Sequence, residues 1–263
     1  MQLDLTGRHA LVCGASQGIG RASAIELAGL GASVTLLARS SDTLEAVAES
    51  LPRTHVAQRH DWRSVDMLDT ARLQAIAAEI AANAAVHILI NNTGGPPGGP
   101  AYSAEPDAYE TAFRQHLLAG QILLQAVLPG MRTSGYGRLV NVISTSVKEP
   151  IAGLGVSNTV RAAVAGWAKT LSAELAADGI TVNNVLPGYT RTQRLDGLLA
   201  AQAAASGRNE DAIAQAMLAS VPARRFGEAG EVAAVIAFLC TPAAAYVNGV
   251  SIAVDGGRTR ALS

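Results

Sequence analysis

Three glycines, Gly14, Gly18 and Gly20, lie between an apolar run at residues 9–12 and a segment with helical apolar spacing at residues 22–28. Glycines let the backbone turn tightly and approach a ligand, and the free N–H groups of a helix N-terminus attract anions. We therefore predict a phosphate-binding turn, in which Gly14 makes the turn, Gly18 admits a pyrophosphate and Gly20 lets helix and strand pack. A turn that only redirects the chain has the same pattern, so other features of the sequence must show whether this turn binds a ligand.

Apolar runs typical of buried strands alternate with helical segments along the whole chain. The predicted strands are at residues 9–12, 32–38, 54–60, 86–90, 137–143, 180–186 and 250–254. With 49% apolar and 16% charged residues, the composition suits a sheet that is buried on both faces. The alternation predicts a single α/β domain over residues 1–263, a Rossmann-like doubly wound parallel sheet of about seven strands with helices on both faces.

The composition argues against several classes of function. The formal net charge of −1 provides no basic surface for nucleic acid. The two cysteines and five histidines are scattered and lack the spacing of a disulfide framework or a metal site. The sequence has neither the pattern of a signal peptide nor an apolar run long enough to cross a bilayer. We therefore expect a cytoplasmic protein that binds no metal, nucleic acid or membrane.

The second predicted strand ends at Ala38, and Arg39 follows it. In dinucleotide-binding folds an acidic residue at this strand end binds the adenosine ribose, whereas a basic residue favours the 2′-phosphate. Arg39 therefore favours NADP over NAD, although an ordinary exposed arginine would look the same. A glycine–proline segment at residues 91–100 reads as a loop at the carboxyl edge of the sheet, where ligands bind, or else as a linker. An alanine-rich helical segment at about residues 192–220 predicts a mobile flap.

Several motifs occur together in an order and spacing that resemble the short-chain dehydrogenase/reductase family, and in particular its 3-oxoacyl-acyl-carrier-protein reductases. The resemblance covers essentially the whole chain. The motifs are Gly14-Ala15-Ser16-Gln17-Gly18-Ile19-Gly20, Asn91-Asn92-Thr93-Gly94, Asn141-Val142-Ile143-Ser144, Pro187-Gly188 with Thr192, Arg225-Phe226-Gly227 and Asp255-Gly256-Gly257. Two small departures from the family pattern are Cys13 in place of threonine and Thr93 in place of alanine.

The resemblance implies a binding site for NADP(H), with NAD(H) also possible. The residues implied at this site are Gly14, Ser16, Gln17, Gly18, Ile19, Gly20, Arg39, Asp66, Met67, Asn92, Gly94, Arg161, Pro187, Gly188 and Thr192. Within this set, Asp66 and Met67 are expected to flank the adenine ring. Arg161 is expected to hold the hydroxyl groups of the nicotinamide ribose.

The family's catalytic residues are mostly replaced in this chain. Ser144 is at the position of the catalytic serine, three residues after Asn141. Ser157 stands where the tyrosine of the family's Tyr-x-x-x-Lys motif is expected, Arg161 stands in place of the lysine, and His116 stands in place of an asparagine. A serine hydroxyl is a far weaker acid than tyrosine, whose pKa is about 10, and its side chain is shorter. Ser157 therefore cannot simply replace the tyrosine as proton donor.

His116 is the aligned residue whose side chain titrates near neutrality, with an unperturbed pKa of about 6.5. We predict that it supplies a proton, through water or through Ser157, to a carbonyl group held by Ser144. The alternative is a histidine that faces the cleft and has only a structural role. Tyr102 and Tyr189, on loops expected to overhang the cleft, are further candidate acids.

Two functions remain open from the sequence. The first is an NADP(H)-linked oxidoreductase that acts on a small carbonyl or alcohol substrate with a rebuilt site for proton transfer. The second is a non-catalytic protein that binds or senses the nucleotide. The resemblance also implies a homo-oligomer, which we expect to be a tetramer. The alanine-rich helix at residues 157–177 agrees with close packing between subunits, although it also fits a plain exposed helix.

Overall fold

A computed structural model describes residues 1–262 of the chain. Its strands are β1 (His9–Cys13), β2 (Ser33–Ala38), β3 (His60–Ser64), β4 (Ile88–Asn91), β5 (Gly137–Val142), β6 (Ile180–Pro187), β7 (Thr190–Arg191), β8 (Gly227–Glu228) and β9 (Ser251–Val254). Its α-helices are α1 (Gly18–Gly29), α2 (Ser41–Ser50), α3 (Thr70–Asn83), α4 (Pro106–Phe113), α5 (Ala119–Ser134), α6 (Gly155–Glu174), α7 (Gln193–Ser206), α8 (Glu210–Ala219) and α9 (Ala229–Leu239).

Seven of the strands form one parallel sheet in the order β3-β2-β1-β4-β5-β6-β9. The strand order reverses beside β1, because β2 pairs with one edge of β1 and β4 with the other. In open parallel sheets, ligands bind in the crevice at the carboxyl ends of the strands where the order reverses. The separate pair β7–β8 has two residues in each strand. The predicted α/β class and seven-stranded sheet are confirmed.

Helices cover both faces of the sheet, and successive side chains of β1 enter different cores. Ala10 and Val12 pack on one face in a core that includes residues of α1, α2 and α9. Leu11 and Cys13 pack on the opposite face with residues of α3, α5 and α6. Because side chains of a strand alternate between faces, burial on both sides makes the whole strand apolar. This explains why the central strands were readable as continuous apolar runs.

The third strand was predicted in the wrong place. It was expected at residues 54–60, followed by an irregular stretch, whereas β3 runs from His60 to Ser64. Strand β3 lies at the edge of the sheet, so its residues are exposed or half-buried and it lacks the apolar run of a central strand. The preceding segment is held instead by buried Gln58, whose side-chain amide donates to the carbonyl oxygens of Ala28 and Ala32.

Two helical regions of the fold are interrupted. The region between β4 and β5 contains α4 and α5, joined by a π-helical turn at Arg114–Leu118. The predicted flap is two helices, α7 and α8, separated at Gly207, which has a φ of 68°. A small apolar cluster that includes Leu195, Ile213 and Phe226 packs these helices together. None of the helices within residues 1–262 combines the length and apolar character that a membrane span requires.

Candidate active site

The glycine-rich turn has the geometry that its sequence predicted. Gly14 and Gly18 have φ values of 59° and 56°, in the left-handed region that favours glycine. A Cβ on Gly20 would lie 2.2 Å from the Gly14 carbonyl oxygen, so the helix approaches the turn too closely for a side chain. Gln17 precedes α1 without forming a side-chain cap. The first N–H groups of α1 therefore remain available to an anion.

The turn borders a cleft of about 810 Å³ at the carboxyl edge of the sheet. Most of the predicted cofactor residues line this cleft; they are Gly14, Ser16, Gln17, Gly18, Ile19, Arg39, Asp66, Met67, Asn92, Gly94, Arg161, Pro187, Gly188 and Thr192. Gly20 does not line it and instead packs against Gly14. Three of the four predicted catalytic residues, Ser144, Ser157 and Arg161, also line the cleft, whereas His116 does not.

At one end of the cleft, Arg39 and Asp66 follow the ends of β2 and β3. Arg39 is exposed and forms no ion pair with the described residues, so its guanidinium is available to a ligand. The Asp66 carboxylate accepts the backbone N–H of Leu68 at 2.9 Å, which fixes the carboxylate beside the cleft. This end therefore suits a nucleoside that carries a phosphate.

At the other end of the cleft, the Arg161 guanidinium is buried and extensively hydrogen-bonded. Its Nε donates to the Ser157 hydroxyl at 3.3 Å, and its Nη1 donates to the carbonyl oxygens of Val142 and Ile143 at 3.2 and 2.9 Å. Burial, and secondarily the nearby charge of Arg194, lowers the pKa of Arg161 to about 10. The side chain is therefore still a cation at neutral pH.

Ser144 is positioned to donate a hydrogen bond into the cleft. It follows β5, and its hydroxyl oxygen accepts the backbone N–H of Ser146 at 3.0 Å. An accepted hydrogen bond occupies one lone pair and leaves the hydroxyl proton free to donate. Ser144 can therefore stabilise a developing negative charge on a carbonyl oxygen in the cleft.

His116 lies in the π-helical turn and is only 8% exposed. Its Nδ1 is hydrogen-bonded to the Thr93 hydroxyl at 2.5 Å, and its Nε2 is buried without a partner among the described residues. Burial, with a further contribution from the charge of Arg161, lowers the pKa of His116 to about 3. The expectation that His116 titrates near neutrality is therefore corrected, because this environment keeps the imidazole neutral. No hydrogen bond joins it to Ser157.

A second, much smaller cavity of about 10 Å³ adjoins His116. This volume is about the minimum that can hold one water molecule, and Asn91 and Asn141 are among the residues that line it. Thr93 is the one hydroxyl-bearing residue that lines both this cavity and the main cleft. Thr93 therefore connects the cleft to His116, a link that the sequence analysis missed.

A chain of side-chain hydrogen bonds crosses the sheet below the site. The Asn91 amide donates to Asn141 at 2.9 Å, Asn141 donates to Asn184 at 3.0 Å, and Asn184 donates to Ser251 at 3.1 Å. The four residues lie on β4, β5, β6 and β9, and the register of these strands places each residue beside the next. The buried amides of Asn141 and Asn184 are thereby hydrogen-bonded. The signal in the sequence was at least one asparagine in each of the strands β4, β5 and β6, whose other residues are mostly apolar.

The two tyrosines proposed as further acids have different surroundings. Tyr189 lines the cleft and packs edge-on against Phe226, with the Arg258 guanidinium 4.8 Å from its ring centre. Tyr102 is 92% exposed and does not line the cleft. The structure therefore brings Tyr189, but not Tyr102, to the site.

Comparison with known proteins agrees with this geometry. A family model described as enoyl-(acyl carrier protein) reductase matches residues 14–259. The chain is 34% identical to the 3-oxoacyl-(acyl-carrier-protein) reductase FabG of Vibrio harveyi over 97% of this chain and 98% of that protein. It is 30% identical to the NADPH-dependent reductase BacG of Bacillus subtilis over 98% of this chain and 100% of that protein.

A similar fold occurs among solved structures. The crystal structure of L-sorbose reductase from Gluconobacter frateurii, complexed with NADPH and L-sorbose, superposes with a TM-score of 0.92. The two sequences are 28% identical, and the match covers 100% of both chains. The similarity therefore extends over the whole length of both matched chains.

Proposed function

Because the chain belongs to the short-chain dehydrogenase/reductase family, we propose that it is an oxidoreductase that transfers hydride between NADP(H) and a carbonyl or alcohol substrate. The observation that carries the proposal is one cleft that joins the glycine-rich turn to Ser144 and Arg161. Two relatives support the choice of cofactor: BacG is an NADPH-dependent reductase, and the L-sorbose reductase structure contains NADPH.

The residues of the cleft fit the parts of this cofactor. The N–H groups at the start of α1 and the glycine turn would bind the pyrophosphate. The unpaired Arg39 guanidinium would bind the 2′-phosphate, and Asp66 with Met67 would flank the adenine. Arg161 would hold the nicotinamide ribose through Nη2, which has no hydrogen-bond partner within residues 1–262. The bound nicotinamide supplies or accepts the hydride.

For the proton, we propose a route that differs from the Tyr-x-x-x-Lys pair. Ser144 would hold the carbonyl oxygen as negative charge develops on it. During reduction, the Thr93 hydroxyl, which borders the cleft, would donate its proton to the alkoxide and take one from Nδ1 of neutral His116. A neutral imidazole can release a proton from one ring nitrogen while accepting one on the other, so Nε2 would accept the replacement. A water molecule in the adjoining cavity would donate that proton and would regain one from solvent.

A non-catalytic nucleotide-binding protein is the second candidate. The specific observation in its favour concerns the proton supply, because Ser157 stands where the resemblance implies the tyrosine and burial lowers the pKa of His116 to about 3. If this candidate is correct, the protein keeps the fold and the cofactor site but does not catalyse hydride transfer.

Two measurements separate these candidates. Calorimetric titration with NADPH tests the cofactor site, and NADPH oxidation with a panel of ketones, aldehydes and conjugated enones tests the reaction. We expect NADPH binding together with oxidation by at least one carbonyl compound. Binding without any oxidation would select the non-catalytic candidate, and absence of binding would contradict both.

We also propose that α7 and α8 act as a flap over the cleft and that the protein assembles as a homotetramer. Thr192, just before α7, supports the first proposal, because its methyl group would lie 3.2 Å from a Cβ on Gly18 in the phosphate-binding turn. For assembly, the support is the outer side of the α4–α5 segment, where Phe113 and Leu118 are 39% and 37% exposed.

A further inference from the structure

Two guanidinium groups converge at the end of the cleft where Arg161 lies. Arg161 belongs to α6, and Arg194 belongs to the first turn of α7. Both groups approach Gly95, whose ideal Cβ position is 3.3 Å from the Nη2 atom of each arginine. The flap and the sheet side of the cleft therefore each bring one cation to the same point.

Within residues 1–262, no carboxylate compensates these two charges. Neither Arg161 nor Arg194 forms an ion pair with a described residue, and the described acidic residue lining the cleft is Asp66, beside Arg39. The charge of Arg194 also contributes to the lowered pKa of Arg161, as expected for two neighbouring cations. An anion placed between them would relieve this repulsion.

Arg194 has N–H groups without partners within residues 1–262, and these can donate to such an anion. Its Nη2 donates to the Pro96 carbonyl oxygen at 2.9 Å, while its Nε and Nη1 have no partners within residues 1–262. Gly95 contributes by lacking a side chain, since a Cβ there would crowd both guanidinium groups. The fork of donors on an arginine matches the two oxygens of a carboxylate.

From these contacts we infer that the substrate carries a carboxylate, which Arg194 binds by hydrogen bonds and Arg161 attracts by its charge. The inference rests on the proposed oxidoreductase function and specifies its substrate class. The cofactor pyrophosphate is the other oxyanion that would suit Arg194 by its charge. The glycine turn and the start of α1 already provide donors for the pyrophosphate, which leaves Arg194 for the substrate.

The test compares 2-oxo acids with their methyl esters, which keep the ketone and remove the charge. The probes are pyruvate, 2-oxobutyrate and phenylpyruvate with the matching esters. Binding to the protein–NADPH complex is measured by calorimetry, and kcat/KM is measured for each pair. We expect at least one acid to be preferred over its ester by about 10- to 100-fold, the range for hydrogen bonds to a charged group.

Arg194→Gln should abolish this preference and leave the affinity for NADPH unchanged. The matched control is Arg191→Gln, because Arg191 lies on the same segment, is exposed and pairs with Glu228 outside the cleft. That control should keep the preference for acids. Weaker NADPH binding in Arg194→Gln with the preference intact would assign Arg194 to the pyrophosphate and overturn the inference.

Failure of the inference and failure of the proposed function give different results. Selective binding of an acid without turnover supports the carboxylate site while contradicting the oxidoreductase function. Turnover of acids and esters at equal kcat/KM supports the oxidoreductase function and overturns the carboxylate site. Equal binding of each acid and its ester, or no binding of any acid, overturns the carboxylate site whether or not turnover occurs.

Discussion

The hydroxyl group of Thr93 lies 2.5 Å from Nδ1 of His116. The resemblance to the family implies alanine and asparagine at these two positions. At the positions where it implies the tyrosine and the lysine, Arg161 donates to the Ser157 hydroxyl at 3.3 Å. Four of the five residues that differ from the implied pattern therefore form two contacting pairs, and the fifth, Cys13, lines the small cavity beside His116. This pairing supports a rebuilt site over scattered loss of catalytic residues.

Arg39→Ala should lower the affinity for NADPH by about 10-fold or more and leave the affinity for NADH unchanged, because a charged hydrogen bond to the 2′-phosphate is lost. Calorimetric titration with both cofactors measures this. Arg53→Ala, which removes an exposed arginine away from the cleft, is the control and should change neither affinity. Equal affinities of the wild type for NADPH and NADH would refute the role of Arg39.

Gly20→Ala should lower the free energy of unfolding by about 1–3 kcal/mol, because the new Cβ overlaps the Gly14 carbonyl oxygen and forces the turn to shift. It should also weaken NADPH binding. Chemical denaturation and titration measure the two effects. Gly197→Ala is the control, because a Cβ on Gly197 meets nothing within 4 Å. This control should raise the free energy of unfolding by about 0.5–1 kcal/mol, since alanine favours a helix over glycine by that amount. Unchanged stability in Gly20→Ala would mean that α1 does not approach the turn this closely.

His116 should make the protein less stable as the pH falls. Its folded pKa of about 3 lies below the unfolded value, so the unfolded chain binds a proton first and stability decreases from about pH 6.5 downward. His116→Asn removes this titration. Between pH 7 and pH 5 the variant should lose about 2 kcal/mol less free energy of unfolding than the wild type. Parallel pH dependences, measured by denaturation at each pH, would show that His116 titrates normally in the folded protein.

Light scattering should give the mass of a tetramer at micromolar concentration. Replacing the exposed Phe113 and Leu118 by serine should shift the protein towards smaller species if the outer side of the α4–α5 segment is a subunit contact. Replacing Val56 by serine is the control, because Val56 is 95% exposed and far from that segment in the chain. This control should leave the mass in solution unchanged. A monomeric wild type would contradict the proposed assembly.

The parts of the fold that sequence predicted well are those with a strong local signal. Strand β1 is buried on both faces and therefore reads as an apolar run, and the glycine turn needs glycines because of its φ values and close contacts. Strand β3 was misplaced because an edge strand lacks that signal. The low pKa of His116 and the approach of Arg194 to Pro96, 98 residues away in the chain, depend on tertiary packing, which periodicity and spacing do not encode.

The most direct test of the rebuilt site is the rate at which wild type and Thr93→Val form alcohol from a carbonyl substrate and NADPH. Valine keeps the shape of Thr93 and removes the hydroxyl that links the cleft to His116. We predict that the wild type forms alcohol and that Thr93→Val loses about 100-fold or more in kcat, the range for general acid catalysis, while binding NADPH with unchanged affinity. Equal rates in the two proteins would contradict the route through Thr93 and His116. NADPH binding without alcohol formation in the wild type would contradict the oxidoreductase function itself.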